Sequence, residues 1–201
     1  MNFSRAHNIN RKFHIHLGLA LLCFVWLFSL TGLLLNHGSW KFASFWPERK
    51  ETTTNFTIPP AMIHDLTEKA VMEFQKTSGE IQQPKRTDQT LEFRIVSPGK
   101  VRDIVVDLET GAGSEKLLTF NMWGKLRTMH TFNGMNREYP AQAPNWWITN
   151  LWRLAMDVIA VGLIIICLSS WIMWYKVRKD YAFGYAVLAG SFLLLGYFLL
   201  S

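Results

Sequence analysis

Hydrophobic and polar positions divide the chain into three uncharged runs and a mixed middle. Residues 17–35 (LGLALLCFVWLFSLTGLLL), 158–175 and 181–200 contain no charged side chain. Each is close to the ~20 apolar residues that a helix needs to cross a bilayer. Between the first two runs the period changes. Residues 61–76, opened by Pro59-Pro60, put Met62, Leu66, Lys69-Ala70 and Glu73-Phe74 on one stripe. That spacing predicts an amphipathic helix, ended by Thr77-Ser78-Gly79. Residues 90–97 alternate Leu91, Phe93 and Ile95 with Glu92, Arg94 and Val96, which predicts a strand. Pro98-Gly99 turns the chain, residues 101–108 form a second strand, 109–113 a second turn, and 114–120 a third strand. The expectation is a small α+β domain, one helix over an antiparallel meander. Residues 37–58 and 131–145 read as irregular segments along a membrane surface.

Charge orients this pattern. The chain has 201 residues and a formal net charge of +6. Arg5, Arg11 and Lys12 precede the first run without an acid, and Lys176, Arg178 and Lys179 face only Asp180 between the second and third. Residues 37–145 are nearly balanced, with 14 Lys/Arg against 13 Asp/Glu. The basic balance is therefore a topology signal and not a nucleic-acid footprint. The expected order is a basic cytoplasmic leader 1–16, a first span 17–36, and an extracytoplasmic domain 37–145 with interfacial flanks. A second span 146–175, a basic cytoplasmic loop 176–180 and a third span 181–201 follow, with the C-terminus outside. The apolar run of the first span exceeds that of a cleaved signal, so it reads as an anchor. Trp40, Trp46, Trp146, Trp147, Trp152, Trp171 and Trp174 fall where amphipathic rings mark membrane interfaces. Gly184, Gly190 and Gly196 in the third span suggest close packing but share no face. Cys23 and Cys167 lie at similar depth in their spans and read as small packing residues, so no disulfide framework is expected.

The candidate chemistry lies in the histidines. His7 and His64 read as solvated. His14 and His16 stand at the inner end of the first span, His37 just past its outer end, and His130 where the chain returns to the membrane. Each can be a plain interfacial residue. Imidazole is also the usual axial ligand of haem iron, and two of them hold b-type haem without covalent attachment. No C-x-x-C-H is present, which excludes c-type attachment. His16 and His37 are ~32 Å apart on one helix and cannot share an iron. His37 with His130 is the outer pair open to one chain, and an inner site needs a ligand from elsewhere. Arg153 and Asp157, at i and i+4 near the outer start of the second span, read as an ion pair, with Arg153 open instead to an anionic group such as a haem propionate. There is no H-E-x-x-H, no Walker motif, no G-x-G-x-x-G and no G-x-S-x-G.

These parts, in this order, resemble the PepSY-associated transmembrane helix family. The resemblance rests on His14-Ile15-His16-Leu17-Gly18 as an H-x-x-x-G motif, Thr31-Gly32 ending the first span, Asp107 and Thr110-Gly111 in a hairpin, and Met129-His130 before the second membrane portion. It covers roughly residues 11–175. It implies a bacterial inner-membrane protein and a PepSY-like domain. Some larger members resemble haem-containing reductases of ferric siderophores, which implies haem b, with His14, His37 and His130 as the matching ligands and His16 beside them. Whether this chain is itself a reductase or an electron-transfer subunit stays open at this level. The larger reductases have more spans and histidines on them. A shorter version would then draw on a homo-oligomer or a membrane redox partner, besides the lipid bilayer. The alternative is a membrane-anchored PepSY-type binding or regulatory module without haem.

Overall fold

The computed structural model describes residues 3–134, 143–177 and 181–201. Of the expected basic loop, Arg178, Lys179 and Asp180 lie outside the described residues, as do residues 135–142 of the expected irregular return. The described elements are α1 (Phe3–Asn36), a 3-10 turn (Lys41–Ala43), β1 (Lys50–Thr57), α2 (Pro60–Ile63), α3 (Glu68–Phe74), β2 (Glu80–Arg86), β3 (Thr90–Ser97), β4 (Lys100–Asp107), β5 (Ala112–Thr119), α4 (Met122–Thr131), α5 (Trp147–Val177) and α6 (Tyr181–Leu200). They divide into two compact units, Met1–Cys23 with Ile159–Ser201, and Phe24–Val158.

Three helices are long and apolar enough to cross a membrane, Arg5–Asn36, Trp147–Tyr175 and Ala182–Leu200. This is the composition of a multi-pass membrane protein. α1 begins at Phe3, so the basic leader is helical rather than a separate tail. Nothing in residues 3–16 breaks a helix, since they contain neither Gly nor Pro. In the first unit α1 and α5 approach closely. A Cβ on Gly162 would lie 2.6 Å from Leu21 Cδ1, and Asn10 Nδ2 donates to the Ser169 carbonyl at 3.1 Å. Of the α6 glycines only Gly184 meets a neighbour, Trp174. Gly190 and Gly196 have open space around them, so the packing inferred from the sequence holds for one of the three. Cys23 and Cys167 are free and exposed.

The second unit holds a five-stranded antiparallel sheet in the order β1-β5-β4-β3-β2. Leu91, Phe93 and Ile95 on β3 and Ile104 and Val106 on β4 point to one face and meet Ile58, Leu66 and Val71. The expected strands are present, and two more flank them. β1 (KETTTNFT) is almost wholly exposed, and β2 (EIQQPKR) carries Pro84 and a register shift between Gln82 and Lys85, with Gln83 at φ 51°. Both are sheet edges, where charge, proline and a bulge discourage pairing with another chain.

The helix expected over 61–76 is two short helices. Thr67 adopts extended backbone, and its hydroxyl accepts from Ala70 N, capping α3 and ending the first segment. Leu66 and Val71 still reach the core, and Phe74 is exposed.

The hairpin 107–112 is fixed by local chemistry. Asp107 Oδ1 accepts from the backbone N–H groups of Glu109 and Thr110 at 2.9 and 2.8 Å. Those bonds, the Thr110 N–H first, hold its pKa below the ordinary carboxylate value. Gly111 is at φ +73°, and an added Cβ would lie 2.7 Å from the Ile58 carbonyl oxygen, whose own N–H donates to Gly111 O at 2.8 Å. Gly111→Ala therefore costs about 1–3 kcal/mol. Urea unfolding of the purified protein checks this, with Gly190→Ala as the unstrained comparison. Equal midpoints for the two variants would refute the strain.

Candidate functional site

The last turns of α1, helix α4 and the first turns of α5 bring the site residues of the second unit together. Three contacts fix α4. Asn121 caps it by accepting from Gly124 N at 3.0 Å, and donates through Nδ2 to the Ser44 carbonyl and to Glu48 Oε2. Gly124 allows close approach, since a Cβ would meet Phe120 at 2.6 Å. Thr128 donates to its own helix at Lys125 O and accepts from Gly99 N at 3.0 Å, tying α4 to the tip of the β3–β4 hairpin.

The third contact is His130, half-buried near the end of α4. Its Nδ1 lies 2.7 Å from Thr31 Oγ1 on α1. Thr31 is buried, and its hydroxyl is 2.8 Å from the Leu27 carbonyl, which can only accept. The single hydroxyl proton goes to that carbonyl, so the oxygen lone pair takes the Nδ1 proton of His130. Nε2 then carries the ring's lone pair. Gly32 lies beside the ring, where an added Cβ would make an ordinary van der Waals contact with His130 Cε1 at 3.5 Å. Phe28 meets the imidazole edge-on at 5.3 Å and Trp152 at 6.1 Å.

His37 is exposed. Its Nδ1 donates to the Leu33 carbonyl at 3.0 Å, and its ring stacks on Trp40 at 4.3 Å. Trp40 meets Phe42 at a tilt, and Phe42 meets Trp123 on α4 edge-on. His37 thus has the same tautomer as His130, with Nε2 as the open nitrogen. The two rings contact different groups. Six residues separate Thr31 from His37, which places them roughly 120° apart around the helix and ~9 Å along it.

In the first unit, His16 is exposed and its Nδ1 donates to Lys12 O at 2.7 Å. His14 is half-buried, and its Nδ1 is enclosed without a hydrogen-bond partner. Asn10 and Leu21, which touch α5, lie on the same helical stripe as His14, whereas His16 is turned about 200° away. These two histidines therefore do not converge. His64 is exposed after α2.

Arg153 and Asp157 are both exposed, and no ion pair joins them among the described residues. The expected pair is thus corrected. An Arg placed N-terminal to its acid is the weaker helical order, and both side chains point to the surface.

Arg127 is a residue that sequence reasoning missed. It is only 7% exposed, one turn before His130, and its Nε and Nη2 have no partner among the described residues. Its Cζ lies 4.9 Å over the Phe45 ring. The Trp152 indole N–H and the Thr149 hydroxyl are also buried without partners. The signal available in the sequence was Asn121 as a helix cap, which would have put Arg127 and His130 on one face. Among the described residues no three His, Cys, Asp or Glu converge on one point, so metal chemistry here would rest on single imidazoles. The His130 imidazole, the aromatic rings beside it and the unpartnered N–H donors are groups that a flat, apolar ligand with an acidic edge would use.

Residues 8–195 match the PepSY_TM-like family. The chain belongs to this family. The match takes in most of α1, the sheet domain, α4, α5 and most of α6, so the Thr31–His130 contact lies wholly within the PepSY_TM-like region. Comparison with curated proteins and with solved structures gives no match.

Proposed function

We propose that this PepSY_TM-like chain binds b-type haem and carries electrons in a bacterial inner membrane, in support of reducing a ferric siderophore or another metal outside it. One observation carries the reading: His130 Nδ1 lies 2.7 Å from the buried Thr31 hydroxyl, which itself bonds the Leu27 carbonyl, an arrangement that supports Nε2 as the nitrogen open to a ligand. A second group that orients a metal-binding imidazole through its other nitrogen is the usual device at such sites. His37, with Nδ1 on a backbone carbonyl, is the candidate for the opposite axial position in the same chain. A second copy or a redox partner is the other source. His14, with its enclosed Nδ1, is the candidate on the cytoplasmic side. When bound, haem supplies a one-electron iron couple whose potential is set by axial ligand, burial and hydrogen bonding.

Arg5, Arg11 and Lys12 favour a cytoplasmic N-terminus, which puts the sheet domain and the C-terminus in the periplasm. The Thr31–His130 contact then sits near the outer face, where electrons would leave. The test is the absorption spectrum of detergent-purified protein, oxidised and dithionite-reduced, with a pyridine haemochrome assay. A Soret band and a sharp reduced α-band with the haem b derivative are expected. A colourless protein, after expression with ample haem, overturns the reading and leaves the anchored binding module.

A further inference from the structure

Arg127 has a buried charge and, among the described residues, no counter-ion. Nη1 lies toward Gly38, within 3.7 Å of where a Cβ would stand, and the Phe45 ring covers one face. The unpartnered atoms are Nε and Nη2. These share one edge of the guanidinium, and their parallel N–H bonds match the two oxygens of a carboxylate. Among the described residues no carboxylate pairs with Arg127, and Glu138 lies outside them. Glu48 accepts from Asn121, and the buried Glu80 accepts from Asn145 N and Trp146 N. Among the described residues the ion pairs are Arg94–Asp103, Arg102–Glu115 and Lys116–Glu51, none of which involves Arg127. A buried charge left unpaired is strongly unfavourable, so its partner is expected from outside the described residues.

The place of Arg127 on α4 selects the partner. It precedes His130 by three residues, so both side chains rise from one helical face about 4.5 Å apart along the axis. A porphyrin ligated at His130 Nε2 carries its two carboxylates at its rim. Resting on the haem reading above, we propose that the Nε/Nη2 edge of Arg127 receives a propionate carboxylate of that porphyrin. Arg153 is exposed on α5 and is not enclosed by the protein as Arg127 is.

Titrating detergent-purified full-length protein with haemin and with haemin dimethyl ester tests this. The ester keeps the iron and ring and removes both negative charges. The wild type should bind the free acid about 10- to 100-fold more tightly, the range of one charge-assisted bidentate contact. Arg127→Gln should weaken the free acid alone and bring the ratio near one. Arg127→Lys, which keeps the charge and loses the fork, should recover part of the preference and guards against a folding defect in the glutamine variant. An unchanged ratio in Arg127→Gln, or equal weakening of both ligands, overturns the assignment. So does loss of the preference in Arg153→Gln instead. If phosphatidylglycerol added to the micelles removes the wild-type preference while leaving Arg127→Gln unaffected, the occupant is a lipid phosphate and the assignment fails. A wild type that binds neither haemin form overturns the haem reading itself, a result distinct from binding without discrimination.

Discussion

A His130→Ala variant is expected to purify without haem under conditions that load the wild type. The substitution removes Nε2, the one nitrogen of the second unit whose availability is fixed by a buried partner from another helix. His37→Ala is expected to lose haem as well if His37 supplies the opposite ligand. The haem-to-chain ratio by pyridine haemochrome measures both, and unchanged absorbance in both variants would falsify the haem site. Thr31→Val separates ligation from folding. It keeps the volume, removes the acceptor for Nδ1–H and frees the ring to rotate or change tautomer. Haem affinity should fall about 10- to 100-fold, as it does when an orienting partner is removed from a metal ligand. Thr31→Ser keeps the hydroxyl and should recover most of it. Equal affinity in the valine and serine variants would remove Thr31 from the site.

The largest loss of stability is expected at Glu80. This carboxylate is 1% exposed at the start of an edge strand. Oε1 accepts from Asn145 N at 2.7 Å and Oε2 from Trp146 N at 3.1 Å, just before α5 begins. Asn145 returns the contact, donating to Ile81 O and accepting from Ile81 N. The sheet thus holds the entry of α5 by four hydrogen bonds, and a negative charge at a helix N-terminus is favourable in itself. Glu80→Ala leaves two backbone donors without partners and should cost about 2–4 kcal/mol. Glu80→Gln keeps one acceptor and should cost roughly half of that. Thermal unfolding in detergent measures both, and an alanine variant as stable as the wild type would show that water replaces the carboxylate.

What could be read from the sequence is local. Twenty uncharged residues define a possible span wherever they occur, so the three long helices were legible from composition. The Pro98-Gly99 and Glu109–Gly113 turns, with alternation between them, were enough for β3 to β5. β1 and β2 were not legible because they are sheet edges. A strand with one free side and polar faces has no hydrophobic period, and only its pairing with β5 or β3 makes it a strand. The split of the 61–76 helix turned on Thr67, whose hydroxyl meets a backbone donor three residues on. That signal is weaker than the apolar stripe running across it.

The site divides in the same way. Sequence alone picked out His14, His16, His37 and His130 as imidazoles at membrane edges. It could not tell which of them would find a partner, because hydrogen bonds such as Thr31 to His130 join residues ninety-nine positions apart. Burial likewise reversed the ranking of the two arginines. Arg153 drew attention because it stands beside an apolar run, yet it faces outward. Arg127 sits in an unremarked polar stretch, and α4 turns it inward against Phe45 with one edge left open. Charge and hydrophobicity are properties of a residue, and the sequence determined them. Burial and partnership are properties of a place, and only the packing of α1, α4 and α5 decided them.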